Sequence, residues 1–148
     1  MKEDRCLIRE ALPEDARRIE ELYRLLLQGN TDIEVHPGRI RQIFSNPDSF
    51  LYVYEENRLI AGTVHLHFCM DALSGARPFA VVERVIVAPE MRGRGIGAAL
   101  MRHAEKAAAA RNALKIMLSS AARREEAHRF YASLGYDGEG SKLFKKYL

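Results

Sequence analysis

Residues 88–100 read APEMRGRGIGAAL: a proline just past an apolar run, then three glycines and two arginines within residues 92–97, then the start of a helical pattern. The run that leads in, FAVVERVIVA (79–88), is rich in Val and Ile and reads as a strand interrupted by Glu83 and Arg84. Beyond the turn, Ile96, Leu100, Ala104 and Ala107 recur along one face of a helix over residues 95–111, and LKIMLSS (114–120) supplies the strand it crosses over to. Strand, glycine turn, helix and strand form a βαβ unit with parallel strands, which puts the chain in the α/β class.

The rest of the chain can be placed outward from that unit. RCLIR (5–9) reads as a short strand, and Pro13 opens a helix with Ile19, Leu22, Tyr23 and Leu26 on one face. A polar loop leads to a shorter helix over 38–45, ended by Asn46-Pro47-Asp48. FLYVYE (50–55) and LIAGTVHLHF (59–68) flank the turn Glu56-Asn57-Arg58 as an antiparallel hairpin. A last helix over 123–134 turns Ala127, Phe130, Tyr131 and Leu134 to one side and stops at Gly135; Tyr136 and KLFKKY (142–147) then read as a closing pair of strands.

Composition sets the frame. At 148 residues, 47% hydrophobic and 29% charged, the chain has the size and balance of a single globular domain, here 1–148. The charged start MKEDRCLIRE lacks the apolar core of a secretory signal, and no run approaches the ~18 apolar residues of a membrane span, so a cytoplasmic protein with no membrane partner is expected. Cys6 and Cys69 are too few for a disulfide framework. A net charge of +3 mildly favours an anionic ligand. The arginines lack interleaved aromatics and a reading helix, which argues against nucleic acid.

A bare turn before a helix suits phosphate, because first-turn amides have no internal partners and carry partial positive charge, and glycine lets them approach a ligand. No Gly-Lys-Ser/Thr follows, so this is no P-loop. Gly93, Gly95 and Ala98 satisfy the dinucleotide pattern G-x-G-x-x-G/A, but Ser119 and Ser120 stand where an acidic ribose partner belongs, and too little chain remains for a full dinucleotide domain. A tight connection without any ligand is the plain structural alternative.

The whole string Val87-Ala88-Pro89-Glu90-Met91-Arg92-Gly93-Arg94-Gly95-Ile96-Gly97 resembles the GNAT superfamily of N-acetyltransferases, whose signature R/Q-x-x-G-x-G/A is filled by Arg92, Gly95 and Gly97. A second segment, Ala127 to Tyr136 (AHRFYASLGY), is similar to that family's A-x-x-F-Y-x-x-L-G-F/Y. The resemblance implies a mixed, mostly antiparallel sheet of six to seven strands, helices on both faces and one central parallel strand pair. It also implies acetyl-CoA as cosubstrate, its pyrophosphate on the amides of Arg92, Gly93, Arg94, Gly95, Ile96, Gly97 and Ala98. The pantetheine arm would bond backbone groups of Val85, Ile86 and Val87, with an amide near Val87 polarising the thioester carbonyl.

Direct attack by an amine needs a base, since at a pKa of ~10.4 only on the order of one amine in a thousand is unprotonated at neutral pH. Glu83 is the candidate, acting through water; pairing with an arginine on a neighbouring strand is the other reading of that carboxylate. Tyr131 matches the family's tyrosine that protonates the departing thiolate, while its spacing beside Phe130 also suits a core position. Arg124 stands where many relatives carry Asn, and RREEAHRFY (123–131) is similar to the aminoalkylphosphonate N-acetyltransferases; there Arg124 would meet a cofactor phosphate or an anionic acceptor. His65 and His67 share one face of their strand as a solvent-facing pair, with acceptor-pocket lining and metal binding as the other readings; no metal site is assigned. The expected acceptor is a small-molecule amine, with a peptide or protein amine and a non-catalytic acyl-CoA sensor as rivals. A second copy of the chain is a candidate partner through the carboxy-terminal strands.

Overall fold

The computed structural model describes residues 5–148; residues 1–4 of the charged amino-terminal stretch lie outside the described residues. The chain divides into two compact units, one ending at Met117 and one formed by Leu118–Leu148. The first unit holds β1 (Cys6–Glu10), α1 (Ala16–Leu26), α2 (Pro37–Ser45), β2 (Ser49–Glu56), β3 (Leu59–Cys69), β4 (Phe79–Val87) and α3 (Ile96–Ala110). β5 (Ile116–Leu118) straddles the boundary, and α4 (Glu125–Ser133) belongs to the second unit.

The sheet runs in the order β1-β2-β3-β4-β5. Its first three pairings are antiparallel. The β2–β3 hairpin closes on Asn57 and Arg58, both left-handed at φ 50° and 66°, the geometry whose twist matches paired strands. Between β4 and β5 the Leu114 amide donates to Pro78 O (2.8 Å) and the Ala80 amide to Lys115 O (2.9 Å), the offset of a parallel pair joined by the α3 crossover.

Helices cover both faces because successive strand residues point opposite ways. Leu51, Val53, Ile86 and Ala88 are buried with Ile19 and Leu22 of α1 and Ile40 of α2. Tyr52, next to Leu51, packs its ring on His103 of α3 at 4.5 Å between centroids. Ile19, Leu22, Ile40, Leu66 and Leu100 are fully buried, each worth about 1.5–3 kcal/mol of transfer free energy.

Three expectations are corrected. The sheet has five strands, not six to seven, because among the described residues 139–148 join no ladder; Leu143, Phe144 and Tyr147 are exposed at 61%, 90% and 85%. The parallel pair therefore ends the row of strands rather than lying at its centre. KLFKKY sets Leu143 and Phe144 side by side, so only one of them could face a core in a pleated strand. β5 is also shorter than the predicted 114–120.

Candidate active site

Two register shifts shape the middle of the sheet. On β3, Ala61 is the extra residue between the Tyr54–Gly62 and Glu55–Ile60 pairs. On β4, Arg84 and Val85 together oppose the single Val64, between the His65–Glu83 and Thr63–Ile86 pairs. Arg84 takes up that bulge at φ 57°, a conformation that costs a non-glycine residue on the order of 1–3 kcal/mol and gathers at functional sites.

Past the bulge the ladder determines where backbone groups point. The Ala88 amide donates to Ala61 O at 2.7 Å, so Ala88 and Ala61 form a hydrogen-bonded pair. Antiparallel pairs alternate, which makes Val87–Gly62 the non-bonded pair, with the N–H and C=O of Val87 directed away from β3. The Val87 carbonyl takes a hydrogen bond from Arg92 Nε at 3.3 Å. Ile86 is buried in the core and Val85 is half-buried at the bulge.

The glycine turn follows directly. Gly93 and Gly95 have φ 77° and 79°, and a Cβ built on either meets no atom within 4 Å. Glycine is thus required there by backbone conformation, and the space above the turn stays open. Gly95 is the N-cap of α3 and offers no side chain to its first turn; the first helical bond runs from the Ala99 amide to Gly95 O at 3.0 Å. The amides of Ile96, Gly97 and Ala98 precede that bond, so the helix leaves them without internal partners. Arg94 is not loose: it bonds Glu56 Oε1 at 2.7 Å, a hydrogen bond that raises its pKa.

Glu83 is half-buried and stands directly across from His65 on β3. Among the described residues it makes no ion pair, so the alternative reading, an arginine partner on a neighbouring strand, is not found. His65 and His67 are not the solvent-facing pair the sequence suggested. Both are half-buried, their rings 3.9 Å apart, and Ser49 Oγ lies 2.8 Å from His65 Nε2 and 3.5 Å from His67 Nδ1. Burial, with His67 and Arg84 adding to it, pushes His65 down to about 4; His67 is lowered by burial against the opposing pull of Glu83. No group of metal ligands occurs among the described residues.

In the second unit, Arg124 is the N-cap of α4 and its carbonyl takes the His128 amide at 3.1 Å. Tyr131 is buried on the same helix and packs against Phe130 and Tyr136. Burial raises its phenol pKa, with Arg124 pulling the other way, so the hydroxyl keeps its proton at neutral pH.

Two residues near Glu83 carry no role in the sequence reading: Ser49, which the hairpin register brings to the histidines, and Arg84, the next residue in the strand. Arg84 carried a visible signal, a second charge inside a Val-rich strand.

A GNAT-type sheet with a bare glycine turn opening α3 agrees with a direct match: the acetyltransferase (GNAT) family profile aligns with residues 16–136. The chain belongs to the acetyltransferase (GNAT) family. It is 29% identical over 131 residues to an aminoalkylphosphonate N-acetyltransferase of Salmonella typhimurium, covering 88% of this chain and 84% of that one. Among solved structures it resembles glucosamine-6-phosphate N-acetyltransferase of Arabidopsis thaliana (TM-score 0.80, 23% identity, 97% and 99% of the two chains). It also resembles the aminoglycoside N-acetyltransferase AAC(6')-Iy in complex with CoA (TM-score 0.80, 15% identity, 99% and 97%). At those identities the two structures establish a shared GNAT fold.

Proposed function

We propose that this GNAT acetyltransferase transfers the acetyl group of acetyl-CoA to a primary amine of a small molecule by direct attack, as one domain spanning residues 1–148. The observation that carries this reading is the uncapped first turn of α3 behind Gly93 and Gly95, a cradle of unpaired amides open to an anion. The residues from Gly93 onward fit the cosubstrate: amides of Gly93 to Ala98 would hold the pyrophosphate, whereas the Arg92 amide, expected to join them, already donates to Pro89 O at 3.4 Å, and polar backbone groups of Val85, Ile86 and Val87 would meet the pantetheine arm. Arg124 is kept as a phosphate contact. When bound, acetyl-CoA supplies an acetyl group activated as a thioester.

The roles of the chain's own groups follow from their chemistry. The Glu83 carboxylate takes a proton from the acceptor's ammonium group through water and passes it to solvent, freeing the nitrogen lone pair. The Val87 N–H polarises the acyl oxygen. Tyr131 Oη protonates the sulfur that departs. A C–N bond forms and a C–S bond breaks; the second amine proton replaces the one that Tyr131 gave to sulfur, so the products are the N-acetyl amine, the free thiol and the one proton released to solvent.

The test is thiol release from acetyl-CoA across a panel of primary amines. Acceptor-dependent release is expected, together with a rise of several degrees in Tm at 100 times Kd, where ligand linkage contributes about 2.7 kcal/mol. Glu83→Gln and Tyr131→Phe should each lower kcat about a hundredfold or more while cofactor affinity holds. A Tm that saturating acetyl-CoA does not move would defeat the reading. A Tm shift without release would indicate an acyl-CoA sensor.

A further inference from the structure

Both arginine side chains of the glycine turn fold back onto the protein. Arg92 Nε donates to Val87 O at 3.3 Å. Arg94 uses both terminal nitrogens, Nη1 to Met91 Sδ at 3.3 Å and Nη2 to Glu56 Oε1 at 2.7 Å. Glu56 is the last residue of β2, and its Oε1 also accepts from Cys6 Sγ of β1 at 3.4 Å. The Glu56 side chain is only 12% exposed, against 49% for Arg94. A carboxylate so far out of water needs its cation, so Arg94 could not leave it for a ligand without stranding a charge.

Arg94 stands between Gly93 and Gly95, both in the left-handed region. Glycine loses more backbone freedom on ordering than any other residue, so a turn hung on two of them is costly to fix at the moment of binding. Tying down the side chain between them moves that cost from binding to folding. Removing the tie has two effects of opposite sign. It loosens the turn, which weakens phosphate binding, and it frees a cation beside the site, which strengthens it; the freed charge is half in water and screened, so the first effect wins. We propose that Glu56 is a positioning residue for the cosubstrate: by holding Arg94 it sets the Gly93–Gly95 turn in place, and the ordered amides, rather than the charge of either arginine in the turn, grip the pyrophosphate. The proposal rests on the acetyl-transfer reading above and adds the residue, outside the glycine signature, that prepares its cofactor turn.

The experiment titrates CoA calorimetrically into wild type, Glu56→Gln, Arg94→Gln and the double variant, and measures backbone 15N order parameters of residues 93–98 without ligand. Wild type should be rigid, near ~0.85, and each variant lower. Each single change should raise Kd about tenfold, and the double variant no further, because both act through one contact. A Kd that Glu56→Gln leaves unchanged or tightens, losses that multiply in the double variant, or order parameters equal to wild type overturn the proposal. If wild type does not bind CoA, the acetyl-transfer reading fails separately. The order parameters then decide for Glu56: a turn loosened in both single variants supports the tie, and an unaltered turn overturns it.

Discussion

His65 shows how one side chain ties the candidate site to stability. An unfolded histidine titrates near ~6.5, and in the folded chain burial holds His65 at about 4. Between those values the unfolded chain takes up a proton that the folded one refuses. Stability from this group is therefore complete above pH ~6.5 and declines as the pH falls toward 4, by at most roughly 3 kcal/mol. Urea unfolding between pH 7.5 and 4.5 should show that decline, and His65→Asn should flatten it; an equal slope in the variant would remove His65 as the cause. At this scale the sequence exposed the charged pair Glu83-Arg84 and the histidine spacing, because residue type and period are written in the chain. The hydroxyl between the rings was not visible, since Ser49 reaches them only once the register sets Ser49 against His67 and Leu51 against His65.

At the scale of elements, Gly62 of β3 lies tight against both β4 and α3. A Cβ there would lie 2.9 Å from the Ile86 carbonyl oxygen and 3.1 Å from Leu100 Cδ1. The first is backbone in a bonded ladder and cannot swing aside, so Gly62→Ala should cost about 1–3 kcal/mol, read as a drop in Tm of several degrees. A Tm equal to wild type would show that the strands separate freely at this point. Strand and helix positions in the first unit were legible because Val-rich runs and 3.6-residue spacing mark them, even across the charged pair in β4. Both register shifts were not, since an extra residue in a ladder leaves the hydrophobic pattern almost intact. The carboxy-terminal strands failed for a related reason: apolar content marks a segment that can pair, and pairing also needs a free edge in register.

On the scale of the whole molecule, the family match runs from residue 16 to residue 136 and so takes in parts of both compact units. Its two recognisable motifs are divided between them, the glycine turn in the first and the Ala127–Tyr136 segment in the second. Short local patterns sufficed to identify the family. The acceptor could not be read the same way, because the groups around Glu83 come from β2, β3 and β4, separated in the chain.

The α3 crossover also bears on how the chain reaches this state. β2 and β3 meet through a two-residue turn, while Pro78 and Leu114 must find each other across the whole of α3 before their ladder gains its first bond. Loop-closure entropy falls most heavily on that step, so the hairpin zips early and the parallel contact locks late. Pulse-labelled exchange during refolding should protect the hairpin amides before those of Ala80 and Leu114; the reverse order would mean that α3 seeds the molecule instead.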